Sequence, residues 1–282
     1  MEIITKKKQA LKEVKKNGIA LYYVNEELRN DKEVVLEAVK QNGLSLDYAS
    51  EELRSDTNIV LEAVKQHGKA LVYASKELRN NKEIVLEALK QDGMSLVYAS
   101  KELKADKEVV LEAVKQDGYA LKYALGELEN DNEIVSTAVK KNGYALEYTS
   151  KKLKNNKEIV LEAVKQNGEA LVYASEELRN DKEVVLEAIK QDGNIICYIK
   201  EIFKNDKEIV LEALKQDEGT FFFVSAELKQ DKEFLYEIKD ILIKNKENYS
   251  KEYELLIKYE REDELRENLD EKEKSTKIRK KV

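Results

Sequence analysis

The sequence predicts an all-α solenoid of nine stacked 25-residue two-helix repeats, closed by a capping helix at each end. Three observations predict it. Glycines recur at Gly18, Gly43, Gly68, Gly93, Gly118, Gly143, Gly168 and Gly193, always 25 residues apart, and a ninth copy keeps register from Glu218 with its glycine moved to Gly219. An Asp or Asn recurs at one place in every copy: Asp31, Asp56, Asn81, Asp106, Asp131, Asn156, Asp181, Asp206 and Asp231. Apolar residues fall at helical spacings of three and four, and no proline interrupts them. Repetition at this period marks an array in which each repeat buries its apolar side only against its neighbours.

Each repeat divides into two short helices. In the copy from Gly43 to His67, Leu46, Ala49 and Leu53 mark one face of the first helix. The second begins after Asp56, whose side chain can accept from the orphan N–H groups of the first turn. Ile59, Val60, Ala63 and Val64 then line two adjoining ridges, so this helix is expected to be buried over most of its circumference. Gly68 is expected to close it in the left-handed conformation. Residues 1–17 read as an N-terminal capping helix, 18–242 as the nine repeats and 243–282 as a charged helix and tail. Within the last segment Tyr253, Leu256 and Ile257 suggest an amphipathic helix from Ser250. From Glu260 to Val282, 16 of 23 residues are charged, which fits a solvated helix or disorder, and the KIRKK ending is too short to serve as an address.

The consensus A-V-K-Q-[ND]-G-x-[AS]-L-x-Y-A-S-x-E-L is clearest in Ala63–Gly68 with Leu71–Ser75 and in Ala163–Gly168 with Leu171–Ser175. It resembles the tandem-repeat family called domain of unknown function 4116. The resemblance covers roughly Gly18 to Lys239; it implies the array and brings no chemistry with it. The eighth repeat (Ile195, Ile196, Ile199, Phe203) and the ninth (Phe221, Phe222, Phe223) depart from the pattern, as an array closing at its C-terminal end should.

Composition narrows the function. Lys+Arg number 50 against 57 Asp+Glu, and a net charge of −7 argues against direct nucleic-acid binding, which needs a basic footprint. The longest apolar run, Ile19 to Val24, is far short of a membrane span, so a soluble cytoplasmic protein without membrane contact is expected. The lone Cys197 excludes an internal disulfide, and the lone His67 fills a slot that is Asn or Asp elsewhere. No phosphate loop or dinucleotide fingerprint is present. No enzyme, cofactor or metal is therefore expected.

Three polar or aromatic patterns remain. Glutamates recur four residues apart on the second helices, as Glu83/Glu87, Glu108/Glu112 and Glu158/Glu162, each with a lysine three residues on. They form either an acidic stripe that imitates a nucleic-acid backbone for a basic protein or a solvated face of Glu–Lys pairs. A tyrosine ladder from Tyr23 to Tyr198, continued by Phe223, is expected to pack between neighbouring repeats. Positions one and four after each glycine vary while their neighbours stay fixed: Ile19/Tyr22, Leu44/Asp47, Lys69/Val72, Met94/Val97, Tyr119/Lys122, Tyr144/Glu147, Glu169/Val172 and Asn194/Cys197. Variable, partly apolar positions on a fixed scaffold suggest a surface for a protein partner, as an effector or inhibitor of a cellular complex would use. The fifth repeat breaks most local rules, with Leu125, Gly126, Glu129, Ser136 and Thr137 replacing consensus residues and Gly126 read as lying inside the first helix. Tyr119 and Tyr144 are expected side by side on the surface there, forming with Lys122 and Glu147, and with Met94 and Val97 nearby, the centre of the site.

Overall fold

The computed structural model describes residues 3–279, and among them it is helical throughout, with one isolated bridge between Ile4 and Val24 and no strand. The chain separates into two compact parts, Met1–Gln191 and Asp192–Val282. The first holds the N-terminal helix and seven repeats; the second holds two repeats and the closing helices.

The repeat is built differently from two α-helices. It opens with a six-residue 3₁₀ run such as Gly43–Tyr48 and passes through extended backbone at Ala49. A single turn, Leu53–Ser55, then leads into the α-helix Thr57–Gln66. Leu46, Ala49 and Leu53 are all buried, as expected, but they do not lie on one helix. The reason is a period of three. A 3₁₀ helix has three residues per turn, so positions three apart eclipse one another. Gly43 and Leu46 share the inward face, Ser45 and Tyr48 a second, and the variable Leu44 and Asp47 the outward one. Asn42 caps the run by accepting from the Leu44 N–H at 3.0 Å. His67 makes no such cap bond, so it is a tolerated, exposed departure.

The repeating glycines do not adopt the left-handed conformation. Among the described residues only Gly126 has positive φ, at 73°. The others are required by contact. A Cβ on Gly43 would stand 2.1 Å from the Ala63 carbonyl oxygen, and one on Gly118 would stand 2.2 Å from that of Ala138. Real Cβ atoms do not approach so closely; the glycine lets the start of each repeat pack on the last turn of its own α-helix. In the ninth repeat Glu218 fills this slot, and there the helix Lys232–Glu237 is interrupted at Ile238 before Lys239–Lys244 resumes.

The α-helices start as the sequence implies. Asp106 accepts from the N–H groups of Glu108 and Val109 at 3.0 and 3.1 Å. Four positions per helix, such as Val109, Val110, Ala113 and Val114, are fully buried, and each such valine contributes roughly 1.5–3 kcal/mol relative to exposure. The N-terminal helix Lys7–Lys16 keeps this register with two changes. Gln9 and Glu13 occupy the slots of Val34 and Ala38, so the face that would meet a preceding repeat is polar. At the other end the helix Ser250–Arg279 buries Leu256 against the ninth repeat. Asp263 on it accepts from the Tyr236 hydroxyl at 2.8 Å and pairs with Lys232. This charged segment is therefore helical as far as Arg279, whereas Lys280, Lys281 and Val282 of the basic ending, like Met1 and Glu2, lie outside the described residues.

Candidate functional site

The outward slots of the 3₁₀ runs line up along the first part of the chain. Ile19 (45%), Tyr22 (53%) and Val172 (48%) are well exposed, and Leu44 and Val72 are partly so. Met94 and Val97 are half-buried.

Tyr119 and Tyr144 are half-buried rather than exposed, and their rings meet tyrosines of the next repeat rather than each other. Tyr119 packs edge-on against Tyr148, ring centres 5.1 Å apart, and its hydroxyl oxygen accepts from the Tyr148 hydroxyl at 2.6 Å. Tyr144 meets Tyr173 at 6.3 Å and donates its hydroxyl to the Glu169 carboxylate. The Lys122 ammonium lies 5.7 Å from the centre of the Tyr119 ring and 5.8 Å from that of Tyr148, within cation–π range. Burial, and then the hydrogen bond with Tyr119, holds the Tyr148 phenol above its ordinary range. Burial followed by the nearby Glu147 carboxylate does the same for Tyr173. The Tyr148 phenol thus keeps its proton and donates it to the Tyr119 oxygen.

Tyr148, Tyr173 and Glu169 belong to this cluster; the sequence placed the two tyrosines in the stacking ladder and Glu169 among the variable slots, without assigning them to the site. The signal was an offset: the slot after a glycine precedes a ladder tyrosine by 29 residues, as in 119 to 148 and 144 to 173. The ladder tyrosines from Tyr23 to Tyr173 are half-buried, whereas Tyr198 is 71% exposed.

The acidic stripe is threaded by lysines. Glu108 takes the Lys82 ammonium at 2.8 Å, Glu87 takes Lys90 at 3.0 Å and Glu162 takes Lys140 at 3.1 Å. Glu112 accepts from the Gln116 amide at 3.4 Å, while Glu83 and Glu158 point to solvent. Lys82 also reaches the next repeat's cap, Asp106, at 2.9 Å, and the same bridge joins Lys7 to Asp31, Lys32 to Asp56, Lys107 to Asp131, Lys157 to Asp181 and Lys207 to Asp231. Where the lysine is replaced, by Thr57 or Asn132, the next cap is Asn81 or Asn156. In the sequence a charged cap thus appears only where the preceding repeat keeps this lysine.

In the fifth repeat Gly126 lies in the turn after the 3₁₀ run, not inside a helix. In most other repeats a serine caps the following turn, as Ser150 accepts from the Leu153 N–H at 3.3 Å. Leu125 cannot do this, and Leu128 is only half-buried where Leu153 is buried. Ser136 donates to Glu162 at 2.8 Å, so one departure from consensus has found a partner.

Among the described residues no three His, Cys, Asp or Glu side chains gather as metal ligands, and no helix is long and apolar enough to cross a membrane.

Together these features define a tandem helical-repeat protein with an aromatic outward ridge. The chain belongs to the family described as domain of unknown function (DUF4116), whose model matches five times, at residues 8–54, 56–104, 106–154, 156–204 and 206–250. Each match is about as long as two of the 25-residue repeats. No curated protein and no solved structure matches the chain.

Proposed function

We propose that this chain is a non-enzymatic, cytoplasmic helical-repeat scaffold that binds a protein partner, acting as an effector or inhibitor of a cellular complex. The observation that carries this reading is the cluster of Tyr119, Lys122, Tyr144, Tyr148 and Glu147. There, aromatic edges, phenol hydroxyls and single charges of both signs emerge from a rigid repeated frame. Aromatic side chains with interspersed charge are the usual composition of interface hot spots. The rings are already held by neighbouring repeats, so little side-chain entropy is lost when a partner docks. The alternative, an acidic face that draws a basic protein as a nucleic-acid decoy, has less support because lysines occupy Glu87, Glu108 and Glu162.

The test is capture of partners from a lysate of the source cell by the wild type and by Tyr119→Ala/Tyr144→Ala. Removal of both rings is expected to weaken capture at least about tenfold, in line with hot-spot losses, while the helical circular dichroism stays unchanged. Undiminished capture by a folded double variant would place the site elsewhere.

A further inference from the structure

A cation occupies one position in most repeats, and in several of them it closes the 3₁₀ run by donating to its carbonyls. Arg29 donates from Nε to the Val24 oxygen at 2.8 Å and from Nη2 to the Tyr22 oxygen at 2.6 Å. Lys104 donates to the Val97 oxygen and Lys154 to that of Glu147, both at 2.7 Å. Arg54 and Arg79 occupy the same slot, yet their Nε groups are buried and meet no acceptor. A buried N–H without an acceptor is costly and rare, and it asks for an explanation. Both arginines line open grooves between adjacent repeats; their Nε atoms are covered, so a ligand there meets the remaining guanidinium N–H groups. One, of about 430 Å³, includes Arg54, Arg79, Tyr73 and Ser75; the next, of about 640 Å³, includes Arg79, Tyr98, Ser100 and Lys101. The carboxylates nearby are largely committed. Glu77 and Glu102 are held below their ordinary range, first by their own backbone N–H groups and then by the Ser75 and Ser100 hydroxyls. Glu51 also lines the first groove. Burial, and then repulsion from Arg79, lowers the affinity of Lys104 for its proton, as expected where the positive charge is not neutralised. Glu129 interrupts the row of cations in the fifth repeat.

We propose that Arg54 and Arg79 form a docking groove for an extended acidic peptide segment, each guanidinium taking one carboxylate. This is a second surface, independent of the aromatic cluster. Arginine matches a carboxylate with two parallel hydrogen bonds. Packed elements sit about 8–10 Å apart and an extended chain rises about 3.3 Å per residue, so acidic residues two or three apart span both arginines. A nucleic-acid strand fits less well, since Glu51, Glu77 and Glu102 interrupt the continuous basic track that phosphates require.

Fluorescence anisotropy of a labelled hexaglutamate peptide tests this, with hexaglutamine and a single-stranded oligonucleotide as comparisons. The full chain is expected to bind hexaglutamate and not hexaglutamine. Arg54→Gln/Arg79→Gln is expected to bind at least about tenfold more weakly, because charge-assisted hydrogen bonds are lost, while melting at the wild-type temperature. Arg54→Lys/Arg79→Lys is expected to retain part of the binding. Equal binding by the glutamine double variant, tighter binding of the oligonucleotide, or a lowered melting temperature of that variant would each overturn the proposal, the last by making the arginines structural.

Discussion

Gly118 and Gly126 stand eight residues apart and answer to different constraints. At Gly118 a Cβ would meet the Ala138 carbonyl at 2.2 Å, while at Gly126 it would meet only the Ala105 Cβ, at 3.9 Å, but on a backbone with φ of 73°. Gly118→Ala is therefore expected to cost about 2–3 kcal/mol or more by overpacking, and Gly126→Ala about 1–2 kcal/mol through its left-handed backbone. Urea unfolding of both variants checks the order; an equal or smaller loss at Gly118 would contradict the contact account. The lysine–cap bridges make a second prediction. Hydrogen bonds from Lys32, Lys82 and Lys157 hold the Asp56, Asp106 and Asp181 carboxyls below their ordinary range. A lowered folded pKa means stability that is fully present above the unfolded value near 3.9 and lost as pH falls through the folded value. Between about pH 5 and pH 2 the wild type should lose stability more steeply than Asp56→Asn/Asp106→Asn/Asp181→Asn. Parallel urea midpoints across that range would show that these bridges contribute nothing.

At the scale of the element, the fifth repeat lacks the serine that caps the turn before its α-helix. Leu125→Ser restores an oxygen where Ser100 and Ser150 accept from Leu103 and Leu153. It is expected to stabilise the chain by about 1 kcal/mol, read as a raised urea midpoint with an unchanged slope; no gain would mean that Gly126 alone sets this turn. The repeat, its α-helix and the Asp or Asn cap were legible because they rest on period and on local side-chain chemistry. The 3₁₀ run was not, although Gly43-x-x-Leu46 and Ser45-x-x-Tyr48 carry its period of three. A six-residue run is too short for spacing to separate three residues per turn from 3.6. The role of the glycines was hidden for another reason: the need for glycine arises from an alanine carbonyl twenty residues later, a contact that exists only once the repeat has closed. The four central site residues were legible as variable slots, but their tyrosine partners looked like uniform stacking residues.

Across the whole molecule the net charge is −7, and lysine–carboxylate bridges between repeats neutralise many of the acidic groups. Each described end is closed within its own part: Gln9 and Glu13 make one outer helix face polar, and Ser250–Arg279 covers the other end. Terminal faces of this kind keep an array from extending through further stacking. Under the proposed function the partner surface is the outward row of 3₁₀ slots, with the tyrosines of the fifth to seventh repeats at its centre. The measurement that tests this most directly is quantitative partner capture at about 0.05 M and about 0.5 M salt, where screening lengths differ several-fold. It compares the wild type, Tyr119→Ala/Tyr144→Ala and Glu83→Gln/Glu108→Gln/Glu158→Gln. The account predicts a partner that persists at high salt and with the glutamate variant but is lost with the tyrosine variant. Capture that survives loss of both tyrosines, and fails with salt or with the glutamates, would contradict it.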